Sequence, residues 1–264
     1  MKIFDAHVHV FPEKIAEKAT KATGDYYGVA MYSVGNVENI KKEMKEGKIT
    51  KCLIHSTATR PDQVVHINDY IAKLVSENKE FVGFGTMHPD FSNIKEETER
   101  IKSLGLLGIK IHSDFQGFAL DEEKALPIYE AARGSLPILF HVGDKNSDLS
   151  HPKRVANVCR LFPDLTVIAA HLGGYSVWDE AEKYLVGKFD NLYFDASSSI
   201  DFMDDDQAIR IIENHGTDKI LFGSDFPMHR PRGTVEKLLS FDFSKRDNKK
   251  MLYKNARKLL GVRF

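Results

Sequence analysis

Two histidines near the start of the chain, His7 and His9, have the spacing of a metal-binding pair. They lie in the segment KIFDAHVH, whose aromatic and β-branched residues predict a strand over 2–9. Because alternate residues of a strand point to the same face, both imidazoles project to one side. Two imidazoles on one face suit neighbouring positions on a borderline-soft ion such as Zn²⁺. The other interpretation is a pair of buried core histidines.

Three more polar residues close apolar runs further along the chain. His141 follows PILF, His171 follows IAA, and Asp225 ends LFGSD. A polar side chain at the end of a buried run is costly unless something satisfies it. His141 could be a metal ligand or a hydrogen-bonded core histidine, and Asp225 could bind a metal and accept a proton or cap the next helix. His171 could be a ligand, but we favour an acid/base role beside the metal.

A second group of polar residues could bind substrate. Lys110 and His112 share one face of a predicted strand, and a carbamylated Lys110 could bridge two metals or, unmodified, pair with an acid. We predict substrate contacts from His112 and from Arg60, because an arginine fork suits a carboxylate. Arg230 and Arg232 are further candidates.

A repeating order of strand and helix positions these side chains. Helix-like segments separate eight predicted strands, and parallel neighbours need such crossovers. Eight units in 264 residues predict a single α/β domain over 1–264, a closed (β/α)₈ TIM barrel, with an open doubly wound sheet as the alternative. The active site would lie at the C-terminal strand ends, and residues 11–36 could fold over the barrel mouth. The predicted strands are 2–9, 51–56, 81–87, 107–112, 137–142, 166–171, 192–197 and 219–225.

The composition restricts the class of protein. With 42% hydrophobic and 28% charged residues and a net charge of -1, the chain is typical of a globular protein with neither a nucleic-acid nor a membrane partner. Cys52 and Cys159 belong to no paired pattern, which favours free thiols and a cytoplasmic location. We therefore expect a small-molecule substrate and leave open a homo-oligomer.

Five motifs occur in the order in which they occur in a known family: DAHVHV at 5–10, GIKIH with QGF at 108–118, FHVG at 140–143, AHLGG at 170–174 and LFGSDFP at 221–227. Through them the chain resembles the amidohydrolase superfamily, and more narrowly the amidohydrolase-2 branch of TIM-barrel metal-dependent hydrolases and decarboxylases. The closing segment YKNARKLLGV at 253–262 resembles the C-terminal helix of that branch. Relatives commonly have proline where this chain has Ser113, so the roles of Lys110 and His112 do not transfer directly.

The resemblance implies one divalent metal ion, most readily Zn²⁺, held by His7, His9, His141 and Asp225. It also implies that His171 is the acid/base residue and that Asp225 shuttles a proton. The expected reaction is attack of metal-activated water on an amide, ester or lactone of a small molecule. The alternative is non-oxidative decarboxylation or hydration of a small carboxylic acid. The complete set of residues disfavours a barrel that only binds a partner.

Overall fold

Eight parallel strands form the centre of the computed structural model, which describes residues 1–264. Each strand pairs in parallel with the next along the chain, and β3 is interrupted at Phe84. The Ala6 N–H donates to the Phe222 carbonyl and the His9 N–H to the Phe226 carbonyl, both at 2.8 Å, which closes the barrel. The predicted TIM barrel is confirmed. The strands are β1 (Phe4–His9), β2 (Lys51–His55), β3 (Phe81–Gly83 and Gly85–Thr86), β4 (Ile109–Ile111), β5 (Ile138–Phe140), β6 (Val167–Ala169), β7 (Leu192–Asp195) and β8 (Ile220–Leu221).

Helices follow the strands and begin at identifiable caps. Asn36 accepts the Asn39 N–H at 2.9 Å at the start of the helix Val37–Gly47, and Asp204 accepts the N–H of Asp206 at 3.0 Å at the start of the helix Asp205–His215. The sequence did not predict five of the helices, which are Glu13–Tyr27, Ser113–Gln116, Ser199–Phe202, Pro231–Ser240 and Lys245–Lys249. The helices are α1 (Glu13–Tyr27), α2 (Val37–Gly47), α3 (Val64–Glu77), α4 (Ile94–Ser103), α5 (Ser113–Gln116), α6 (Leu126–Ala132), α7 (Pro152–Leu161), α8 (Trp178–Tyr184), α9 (Ser199–Phe202), α10 (Asp205–His215), α11 (Pro231–Ser240), α12 (Lys245–Lys249) and α13 (Asn255–Leu260).

The barrel interior is filled at the end opposite the predicted site. Phe4, Leu53, Phe84 and Leu139 belong to one buried cluster contributed by different strands, and they leave no open pore there. Phe84 is fully buried at the interruption of β3. A Cβ atom on Gly108 would lie 2.4 Å from the Phe84 ring, so glycine is required where the two neighbouring strands meet.

Substituting this glycine tests the packing. We expect Gly108→Ala to lower the free energy of unfolding by about 1–3 kcal/mol, because the Phe84 ring must move inside a close-packed core. Chemical denaturation measures the change. Gly233→Ala in α11 is the matched control, since nothing lies within 4 Å of its added methyl and alanine favours the helix. Equal unfolding midpoints for the two variants would contradict the packing described.

Two further expectations concern the cysteines and a possible membrane-spanning helix. Cys52 and Cys159 are free and buried, as predicted. No helix has the length and apolar character needed to cross a bilayer.

Candidate metal centre and cavity

Three ligand atoms converge at the C-terminal end of the barrel. The Nε2 atoms of His7 and His9 are 3.2 Å apart, and Asp225 Oδ1 lies 3.5 Å from the first and 3.2 Å from the second. Metal–ligand bonds of about 2.0–2.2 Å in a tetrahedral arrangement separate the ligand atoms by about 3.3–3.6 Å. The triangle of His7, His9 and Asp225 therefore has the dimensions of one face of such a site.

The protonation of His7 is fixed by its other ring nitrogen. Nδ1 lies 2.8 Å from Asp195 Oδ2, and because a carboxylate only accepts, Nδ1 carries the hydrogen and donates it. The Nε2 atom inside the triangle is then unprotonated, as a metal ligand must be. Burial, followed by the nearby Lys110 ammonium, lowers the pKa of His7 well below its ordinary value, which keeps the ring neutral.

His141 and His171 form a second pair next to the triangle. The His141 Nε2–H donates to the Gly143 carbonyl at 2.9 Å, and the His171 Nδ1–H donates to the Ser197 carbonyl at 3.0 Å. Their remaining nitrogens, His141 Nδ1 and His171 Nε2, are thereby left unprotonated and face each other at 3.0 Å. Two lone pairs at this distance repel unless a cation or a proton intervenes. The pair makes no hydrogen bond or ion pair with the atoms of the triangle.

Burial keeps the inner histidines neutral. In each of four further rings it is the largest cause of a lowered pKa, although the nearby Asp225 carboxylate opposes it in three of them. The four are His55, His112, His141 and His171. The barrel end therefore holds an unusual concentration of uncharged imidazole, which is the form that binds metal.

The charged residues beside these rings respond in opposite ways. Burial disfavours ionisation of Asp225, but the positive charge that His7, His9 and His171 gain on protonation and a hydrogen bond from His9 outweigh it, so the pKa of this carboxyl lies well below its usual range. Burial lowers the pKa of Lys110 to about 8, and its Nζ lies 3.4 Å from His7 Nε2. Lys110 forms no ion pair with an acid, unlike the pairing considered from the sequence.

Local backbone geometry directs the functional side chains. His171 and Asp225 both have a φ of 61°, a left-handed conformation that is rare for residues other than glycine and often marks functional positions. The Asp225 N–H donates to the His7 carbonyl at 3.0 Å. Asp5 accepts the Ser224 N–H at 2.9 Å, so β1 and the loop after β8 are held together beneath the triangle.

His112, a predicted substrate contact, is buried and stacks on His141 with ring centroids 4.0 Å apart. The Tyr27 hydroxyl is hydrogen-bonded to His112 Nε2 at 2.9 Å and lies 3.2 Å from His141 Nε2. Nδ1 of His112 and Oδ2 of Asp114 are buried without hydrogen-bond partners, 3.9 Å apart. The parallel rings of His112 and His141 cannot direct two in-plane lone pairs at one ion, so these residues do not form a second metal site.

A cavity of about 960 Å³ opens above the inner histidines. Arg60 lies at its rim, 65% exposed, with its guanidinium donating to both oxygens of Asp62 at 3.0 Å. The other two arginines considered from the sequence lie outside the cavity lining, where Arg230 pairs with Glu46 and Arg232 with Glu236.

Two residues of this site carried no assigned role in the sequence. His55 is the last residue of β2, so it lies at the strand end where the active site is expected, but nothing in its spacing indicates a role. Its ring is perpendicular to those of His7 and His9, with centroids 4.7 and 4.6 Å away, and neither of its nitrogens has a partner. Tyr27 belongs to α1, which carries no motif and was not predicted as a helix.

Comparison with known proteins adds a family match and one local relative. A family model described as Amidohydrolase matches residues 4–262. The 2-amino-3-carboxymuconate-6-semialdehyde decarboxylase of Dictyostelium discoideum is 43% identical over 72 residues, which are 26% of this chain and 20% of that protein. The match thus spans about a fifth of the length of that relative.

Solved structures resemble the whole chain at low sequence identity. The 5-carboxyvanillate decarboxylase of Sphingomonas paucimobilis is 15% identical, with a TM-score of 0.77 and 99% of each chain covered. A dihydroxybenzoic acid decarboxylase from Polaromonas sp. JS666, with bound manganese and the inhibitor 2-nitroresorcinol, is 16% identical, with a TM-score of 0.74 over 98% of this chain and 97% of that one. At these identities the likeness shows a shared fold.

Proposed function

Because the chain belongs to the amidohydrolase-2 family of metal-dependent enzymes, we propose that it catalyses the non-oxidative decarboxylation of a small carboxylic acid. The triangle of His7, His9 and Asp225 carries the proposal of a metal centre. The choice of reaction rests on the relative that shares 43% local identity and is named a decarboxylase. Hydrolysis was the first expectation from the sequence, but only the family match supports it. Decarboxylation therefore replaces hydrolysis as the preferred reaction.

We propose one divalent ion bound by His7, His9 and Asp225, with His141 as the fourth ligand through its unprotonated Nδ1. Three imidazoles and one carboxylate suit Zn²⁺, which remains our prediction for the metal. Such an ion supplies Lewis acidity, which polarises carboxylate or carbonyl oxygens and lets water ionise near neutral pH. Lys110, close to His7 Nε2, is proposed as a fixed cation rather than as a bridge between two metals.

The side chains around the triangle provide the proton steps. In a decarboxylation the C–C bond to the carboxylate breaks, CO₂ leaves, and the electron pair remains on the substrate carbon, which then takes up a proton. His171 Nε2 faces the site and, once protonated, can deliver that proton, while the Ser197 carbonyl holds the opposite side of the ring. Asp225 can accept a proton from substrate or water, and the Ser198 hydroxyl, donating to its Oδ2 at 2.5 Å, orients it. His112 and Arg60 stay proposed substrate contacts, although pairing with Asp62 reduces the charge that Arg60 can offer.

A product assay separates the two reactions. The metal-loaded protein is incubated with aromatic and unsaturated acids labelled with ¹³C in the carboxyl group, and with amides, esters and lactones. We expect ¹³CO₂ from one or more acids. Release of amine or alcohol from the second set, without ¹³CO₂ from the first, would replace decarboxylation with hydrolysis.

Asp195→Asn tests how the protein holds His7. The Asp195 Oδ1 atom accepts the N–H groups of His171 and Ser197, so an asparagine carbonyl must stay there and its NH₂ must face His7 Nδ1. His7 is then forced into the tautomer with hydrogen on Nε2, which blocks ligation. We expect metal affinity to fall about 10–100-fold or more, measured by competition with a chelator. Asp190→Asn, a fully exposed carboxylate, is the control, and equal affinity in both variants would refute this role.

A further inference from the structure

The cavity extends well beyond the metal centre as a groove between two helices. Ile15, Ala19 and Ala22 line it from α1, and Ile67 and Tyr70 line it from α3. The α1 residues have helical spacing, so they form one continuous side of that helix. The groove and the histidine-lined end belong to one cavity of about 960 Å³, at the upper end of the range of about 300–1,000 Å³ that holds drug-sized ligands.

The groove is mostly apolar, although Thr23 of α1 and His66 of α3 also line it, and part of its wall is uncovered. Ile15 and Tyr26 are 49% and 48% exposed, although α1 already packs on the barrel through Ala16, Thr20 and Gly24. The small side chains of Ala19 and Ala22 keep space open in the middle of the α1 wall. Exposed apolar surface next to a reactive site is typical of a binding surface for an apolar ligand.

Charges in the lining exclude some substrates. Arg60 is its only arginine or lysine, and the guanidinium donates to both oxygens of Asp62. A second carboxylate on a substrate would find no free cation in the groove, and Asp114 at the inner end would repel it. The lining therefore matches a single acid group attached to a hydrocarbon portion.

Resting on the metal centre of the proposed function, we propose that the substrate is an amphiphilic monocarboxylic acid. Its acid group meets the metal-binding triangle of His7, His9 and Asp225, and its hydrocarbon chain lies between α1 and α3. A carbonyl group or double bond of the substrate beside the acid group takes up the electron pair that remains when CO₂ leaves. Ala19 and Ala22 determine the length and width of chain that the groove admits.

Straight-chain alkyl hydroxamic acids test this proposal, because the hydroxamate group chelates metals and the chain can be lengthened stepwise. Binding of the acetyl to decanoyl compounds to the metal-loaded protein is measured by calorimetry. Each buried methylene is expected to raise affinity about fourfold, so the octanoyl compound should bind on the order of 10³-fold more tightly than the acetyl compound. Ala19→Trp should reduce that ratio to below about tenfold, and Ala22→Trp serves if the first variant does not fold.

Lys18→Trp is the matched control, since it places the same side chain at an exposed position of α1 that does not line the cavity and should preserve the ratio. Binding of acetohydroxamic acid without any gain from longer chains would overturn this inference while leaving the metal centre intact. An equal ratio in the Ala19, Ala22 and Lys18 variants would also overturn it. Failure of every hydroxamic acid to bind would remove the metal centre, and this inference with it.

Discussion

Asp225→Asn is expected to lower turnover by about 10²–10⁴-fold, because it removes the carboxylate that serves as both ligand and proton acceptor. Asparagine keeps one oxygen that can face the metal, but it has neither the charge nor the basicity. His7 and His9 remain in place, so most of the metal should stay bound at saturating concentrations. Turnover is followed as CO₂ release and metal content by elemental analysis of the same sample.

The control for this variant is Asp190→Asn, which removes a surface carboxylate 3.4 Å from Lys219 and should leave turnover unchanged. Near-wild-type turnover in Asp225→Asn would rule out Asp225 as the proton acceptor. Turnover that is lost at ordinary metal concentration but recovered in excess metal would leave Asp225 only the role of a ligand.

The barrel was predictable because the apolar runs and their spacing indicate the alternation of strands and helices. The same rule located most of the inner side chains, since the C-terminal ends of parallel strands meet at one end of a barrel. His7, His9 and Asp225 converge for this reason, although the first and the last are 218 positions apart in the sequence (225 − 7). The position of a histidine at a strand end does not determine which of its ring nitrogens faces inward.

Protonation depends on contacts between distant elements, and these are not encoded in any one motif. The bond of His7 Nδ1 to Asp195 joins β1 to β7, and the bond of His171 Nδ1 to the Ser197 carbonyl joins two neighbouring strand ends. His141 shows the same limit, because its ring stacks on His112 and its Nδ1 lies 3.0 Å from His171 Nε2, contacts that no sequence spacing predicts.

The cavity wall was the least predictable part. Helix α1 has no strong apolar face, because one side packs on the barrel through small residues such as Ala16 and Gly24 and another lines an open groove. Residues 13–27 therefore lack the pattern that is typical of a buried amphipathic helix. Tyr27 comes from the same helix, and its hydroxyl reaches His112 across 85 positions of sequence. The position of Arg60 after β2 places it at the cavity rim, but that position does not reveal its local pairing with Asp62.

Removing the metal should abolish activity and lower thermal stability together. The triangle brings two imidazole nitrogens and one carboxylate oxygen within 3.5 Å of each other, an arrangement that a divalent cation stabilises. A ligand present at about 100 times its dissociation constant adds about 2.7 kcal/mol to stability. For a chain of this size that corresponds to an increase of about 5–10 °C in Tm when Zn²⁺ is returned to chelated protein.

The double variant His7→Asn/His9→Asn tests the cause of both effects, because it removes two corners of the triangle without adding bulk. We expect no increase in Tm on addition of Zn²⁺ and no turnover that excess metal restores. Mg²⁺ is the control ion for the wild-type protein, since it prefers oxygen ligands and should give little stabilisation at a site with two imidazoles. Full turnover by the chelated protein, or an unchanged Zn²⁺ response in the double variant, would move the catalytic centre away from these two histidines.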